Sequence, residues 1–250
     1  MPGYRWNRAW YLIAAVAVAA IPARAQVDQG RALAAIEACG DVRSALSKAG
    51  DAASAPRLSG SDFSDEFAEA LDLSFVGDAP LSPAGMAMLI DLQREAGALV
   101  RGYLLLGIDA KALSSDPSGD KAAKNFLDFL PEMAALYDYR IRVGAIIADS
   151  AAALPGPRPE PRVSLAVAAI AAEQEKVLLS AIAVASDPQI DARWRAGRVE
   201  VLQESVAGFT ALMGRKRAQQ VADTALIAAR AETDPEVALL LKDYALSLLR

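Results

Sequence analysis

Asp191, Arg195 and Arg198 follow one another at spacings of four and three, which places them on one side of a helix. Two guanidinia a turn apart can hold a carboxylate or a phosphate through paired hydrogen bonds, so this triplet is a candidate site for a small anionic ligand. The plainer account is a solvated ion pair between Asp191 and Arg195, on helical turns that project beyond the core. Trp194 beside them either lines such a site or packs against it. Arg140 is the other cation out of place. At 100° per residue it falls near the centre of an apolar face formed by Met133, Leu136, Tyr137, Gly144 and Ile147. A buried guanidinium needs a partner, and Glu95 is a carboxylate from another helix that could supply it. The sharper alternative takes Arg140 into a ligand cavity.

Composition narrows the chemistry further. The chain contains no histidine. That removes Ser-His-Asp and Cys-His catalysis, c-type haem attachment, and most zinc, copper and di-iron sites. Carboxylates, lysine and bare hydroxyls remain, and neither a catalytic residue nor a metal or cofactor is expected. Glu132, Asp138 and Asp149 lack the spacing of a metal site, and a calcium loop needs a denser run of Asp and Gly. "QESVAGFTALMG", residues 203–214, resembles the Glu-Ser signature of lytic transglycosylases, periplasmic helical enzymes whose acid is a single glutamate. The resemblance would make Glu204 that acid, in a cleft and with a raised pKa. Glu204 instead falls on a polar face, the Leu-Met-Gly follows too soon, and the intervening family pattern is absent. No family is assigned on this stretch.

The elements that carry these residues are helical. No stretch keeps a period-two alternation, and the apolar residues recur at helical spacing. Helices are expected over 27–49, 62–73, 83–106, 121–130, 131–154, 163–186, 189–213, 215–231 and 235–249, with the two around Pro131 either joined by a kink or separate. Ser82-Pro83, Asp187-Pro188 and Asp234-Pro235 each read as a cap followed by proline in the first turn. "LPGPRPEPR" alternates proline and is a stiff extended connector. The expected organisation is an irregular all-α bundle of about seven to eight helices. It comprises an N-terminal part 26–154, a connector 155–161 and a C-terminal part 162–250, the two parts packed as one domain.

Residues 163–186 are apolar except for Glu173-Gln174-Glu175-Lys176 at their middle. Those charges would cost on the order of 7–10 kcal/mol in a bilayer, against about 3–5 kcal/mol returned by Leu, Ile and Val, so the segment is not membrane-spanning. Val163, Val167, Ile170, Val177 and Leu178 share a face. Gln174 lies within it, Glu173 and Glu175 towards its edges, and Lys176 points away. "RKRAQQ" at 215–220 is a basic cluster that suits anionic headgroups or an acidic partner, though a solvated helix start accounts for it.

At the N-terminus, Arg5 and Arg8 precede an apolar run from Trp10 to Ile21, and Ala23-Arg24-Ala25 offers small residues for cleavage before Gln26. Residues 1–25 read as a signal peptide, too short to span a bilayer. Removing them takes three arginines and leaves 23 basic against 31 acidic residues, a formal charge of −8 that argues against nucleic-acid binding. Cys39, the single cysteine, is a small buried hydrophobe or a bridge to another chain. The expectation is an exported, periplasmic or secreted protein without catalysis of its own. It would act as an interaction or scaffold component of the cell envelope, with a protein partner or as a homo-oligomer. The alternative is a bundle that holds a small anion through Arg140, Arg195, Arg198 and Asp191.

Overall fold

Asp28 accepts a hydrogen bond from the Arg31 N–H (3.2 Å) and so caps the first helix, α1, Gln29–Lys48. The same logic recurs along the chain. Ser82 Oγ accepts from the Gly85 N–H (3.1 Å) ahead of α3, Pro83–Leu104. Asp234 accepts from the Glu236 and Val237 N–H groups (3.0 Å each) ahead of α9, Pro235–Leu248. The remaining helices are α2 Ser64–Ala70, α4 Asp120–Asp128, α5 Leu130–Ala152, α6 Pro161–Ala185, α7 Ala192–Glu204 and α8 Val206–Ala231. The computed structural model describes residues 27–59, 62–77, 80–108, 120–154 and 161–250, and within these it is all-helical. The segment 1–25, expected to be a signal peptide, lies outside the described residues, as does the connector up to residue 160; Pro161 is already the first residue of α6.

Two helix boundaries differ from the sequence expectation, each for a local reason. Asp187-Pro188 does not start a helix. The Asp187 carboxylate accepts from the Gln189 N–H (2.9 Å) and its carbonyl from the Ile190 N–H (3.1 Å), which makes a turn. The helix begins at Ala192 instead, because Asp191 takes the capping role, accepting from the Arg193 and Trp194 N–H groups at 3.0 and 3.3 Å. The helix expected over 189–213 also stops at Ser205. There the serine hydroxyl donates to the Val201 carbonyl (3.0 Å) while the Ser205 N–H turns to the Leu202 carbonyl (3.2 Å), so the regular ladder is interrupted. The break expected between 213 and 215 is present, as a kink inside α8. Gly214 has φ +65°, a conformation that side-chain-bearing residues rarely adopt.

The chain divides into two compact units. One gathers Asp28–Val76 and Asp91–Arg140, the other Gly77–Ile90 and Ile141–Arg250 with Val27, so α3 and α5 contribute residues to both. In the first unit, Ala35, Ala38, Cys39, Val42 and Leu46 of α1 are buried, as are Phe67, Leu92, Leu99, Tyr103, Phe129 and Met133. Gly102 lets α3 approach α1 closely; a Cβ there would lie 2.6 Å from Leu46 Cδ2. The Tyr103 hydroxyl donates to the Pro56 carbonyl (2.9 Å), which ties the irregular chain after α1 to α3.

In the second unit the core runs through Leu81, Met86, Ile147, Ile170, Leu178, Ile182, Leu202, Phe209, Leu241 and Tyr244, all buried. Each such side chain contributes about 1.5–3 kcal/mol by leaving water. The α8 and α9 helices pack as neighbours across the short turn 232–234; α6 packs against α8 and α7, and α7 mainly against α9.

The α6 helix resolves the polar quartet at its middle. Gln174 is buried as its phase requires, and Lys176 is exposed and pairs along the helix with Glu173 (3.2 Å). Glu175, expected at the edge, is buried and pairs with Arg217 of α8. The basic cluster at 215–220 is therefore not wholly solvated. Arg217 turns inward to Glu175, while Arg215 and Lys216 stay exposed. Among the described residues no helix is long and apolar enough to cross a membrane.

Candidate functional site

Arg195 is the centre of the best-built polar site. It lies on the second turn of α7 with its side chain 5% exposed. Its Nε–H donates to the Ile190 carbonyl (2.9 Å), and its Nη1 pairs with Glu232 at the end of α8, whose side chain is 2% exposed. The other Glu232 oxygen accepts the Thr233 and Asp234 N–H groups, each at 2.8 Å. The carboxylate is thus satisfied on both oxygens, and the ion pair ties the start of α7 to the α8–α9 turn. Asp191 is engaged as the α7 cap and leaves Arg195 to Glu232, so the solvated Asp191–Arg195 pair does not form. The turns around Arg195 are not beyond the core; Ile190, Ala196 and Val199 around it are buried. Arg198 stacks its guanidinium over Trp194, 5.0 Å from the ring centroid, the cation–π arrangement open to a half-buried arginine.

Arg140 belongs to the other compact unit. Its guanidinium lies beside Gly97 of α3, where a Cβ would come within 3.5 Å of it, and its backbone carbonyl accepts from the Gln93 side chain (2.9 Å). Glu95, the carboxylate offered to Arg140 on sequence grounds, pairs with Arg43 of α1. Of the four residues Arg140, Arg195, Arg198 and Asp191, the structure groups the last three around one helix start and places Arg140 in a separate unit.

A second polar centre was not anticipated. Glu132, in the first turn of α5, is 2% exposed, accepts the Leu58 N–H (2.8 Å) and has Arg57 at 3.6 Å. Arg57 donates to the Asp128 carbonyl (2.7 Å) and lies over the Phe129 ring at 4.2 Å. This cluster pins residues 52–58, which have no helix of their own, to the start of α5. Only Glu132's proximity to Pro131 and the apolar Met133 hinted at its burial.

Glu204, the residue in the transglycosylase-like stretch, has its side chain 66% exposed and lies 3.8 Å from Arg142 on the surface. Cys39 is fully buried. Burial, and secondarily the Glu95 charge, push its thiol up to about 12, with Arg43 opposing. A thiol in that state holds its proton at neutral pH and does not react. Native protein should therefore leave Cys39 unmodified by a thiol-reactive dye at pH 8, with complete labelling in denaturant. Rapid labelling without denaturant would place the thiol on the surface.

These polar groups serve as ties between segments. No group of three or more carboxylate or thiol side chains suited to a metal occurs among the described residues. No family model matches the chain, and no curated protein or solved structure is significantly similar to it.

Proposed function

We propose that the chain is exported and works as a non-catalytic interaction or scaffold component of the cell envelope. The observation that carries this reading is where the large apolar side chains remain outside. Leu165, Ile227 and Leu239 are exposed by 72%, 65% and 57% in one compact unit, and Leu33 by 60% in the other. Isolated exposed leucines are ordinary on a protein surface; several on helices that pack as neighbours support a reading in which a protein partner covers them. Against the anion-binding alternative stands the Arg195–Glu232 pair, since an incoming anion would have to displace a buried carboxylate already held by two backbone N–H groups.

Site-specific photocrosslinking in the chain's own host tests this. A photoreactive residue at 165, 227 or 239 should give a discrete protein adduct in the envelope fraction, and one at the exposed polar Glu200 should not. Absence of adducts at all three apolar positions would remove the reading. The N-terminus of the same material should be Gln26, and retention of Met1 would remove export.

A further inference from the structure

Arg57 makes contacts of the kind by which proteins recognise an arginine from elsewhere. Its guanidinium lies over the Phe129 ring, 4.2 Å from the centroid, and Nη1 donates to the Asp128 carbonyl (2.7 Å). The Glu132 carboxylate stands 3.6 Å away, its side chain 3% exposed. One of its oxygens accepts the Leu58 N–H. The other, also buried, has no hydrogen-bond partner among the described residues and faces the guanidinium. An aromatic face, a carbonyl at the C-terminal end of α4 and a buried carboxylate together suit a planar cation with several donors. A lysine ammonium is a point charge that holds its water more firmly and does not stack in the same way.

Helices build this site, and a segment without a helix fills it. Asp128 ends α4, Glu132 lies in the first turn of α5, and Phe129 between them is buried against Tyr103 of α3, ring centroids 4.8 Å apart. Residues 52–58 lie across these groups and are held by side chains. The Tyr103 hydroxyl donates to Pro56, Glu132 accepts from Leu58, and Arg57 reaches Asp128. A segment held in that way opens locally at lower cost than the helices beneath it. Opening leaves the Glu132 carboxylate short of its cation until another arrives. We infer that Asp128, Phe129 and Glu132 form a guanidinium-recognition site, filled here in cis by Arg57, that takes an arginine side chain of a protein partner when residues 52–58 open. The inference rests on the interaction reading above and names the chemistry of one contact, in the first unit.

Methylguanidinium added to Arg57→Ala tests the site, and an arginyl peptide added to the wild type tests the exchange. At about ten times its Kd, methylguanidinium should raise the melting temperature of Arg57→Ala by about 3–6 °C. Methylammonium should not, and neither cation should raise that of Arg57→Ala with Glu132→Gln. If Arg57→Ala does not fold, Arg57→Gln keeps the side-chain stem and serves in its place. In the wild type, acetyl-Ala-Pro-Arg-Leu-amide repeats residues 55–58 in trans. Peptide at about ten times its Kd for the open site should speed amide exchange at Leu58 about tenfold, with the α3 amides unchanged. The lysine form of the peptide should leave Leu58 protected. No rise with methylguanidinium, or an equal rise with methylammonium, would overturn the site. Leu58 exchange indifferent to the arginyl peptide would overturn its use by a partner. Crosslinking at 165, 227 and 239 reads other residues, so its failure would remove the interaction reading and leave the methylguanidinium result standing.

Discussion

Replacing Glu232 with alanine should destabilise the protein by about 3–5 kcal/mol, the largest effect expected of any single substitution outside the apolar core. The Arg195 guanidinium is buried, and its charge is met by this one carboxylate together with the Ile190 carbonyl. Removing the acid leaves a cation without compensation in a poorly solvated site, which costs more than the pair itself contributes. The reverse substitution, Arg195→Met, should cost less, because the freed Glu232 keeps its two backbone N–H donors at the end of α8. Arg195→Met with Glu232→Leu should recover to within about 1–2 kcal/mol of wild type, since the two sites couple directly. Urea unfolding of the four proteins measures all of this. A loss below about 1 kcal/mol for Glu232→Ala would mean that the pair is solvated after all.

Gly208→Ala should destabilise by about 1–3 kcal/mol, whereas Gly197→Ala should stabilise by about 0.5–1 kcal/mol. Both glycines lie within helices, where alanine is intrinsically the better residue. Their surroundings decide the sign. A Cβ on Gly208 would lie 2.6 Å from the Ala145 carbonyl oxygen and 3.4 Å from its Cα, and backbone atoms in a packed helix cannot step aside as a side-chain end could. At Gly197 a Cβ meets nothing within 4 Å. Thermal unfolding should move the two variants in opposite directions. If both rise, α5 and α8 do not approach as closely as described.

Helix positions were legible because their signals are local. Ser82-Pro83 and Asp234-Pro235 start helices as their chemistry demands, and Gly214 breaks one where a positive φ is needed. Asp187-Pro188 carries the same signature but lost to Asp191, four residues on, since either aspartate could cap and local sequence does not choose between them. The break at Ser205 was not legible, because a serine within a helix usually bonds back to a carbonyl without ending it.

Helical phase placed Gln174 inside correctly. It could not say which residues stand across from a given face. Arg195 meets Glu232 37 positions away, Glu175 meets Arg217 42 away, and Leu58 meets Glu132 74 away. Such pairs depend on how helices are arranged in space. The candidate anion site was accordingly read from the spacing of its members, and the carboxylate that occupies Arg195 lay outside that view.

The account stands most directly on what the chain carries when it is recovered gently from its own host. Native mass spectrometry of the intact material reads that in one measurement. The account predicts a homomultimer, or a stoichiometric complex with another protein, with no small extra mass on the chain. A monomer carrying a stoichiometric small anion would contradict it and move the function to the arginines around α7.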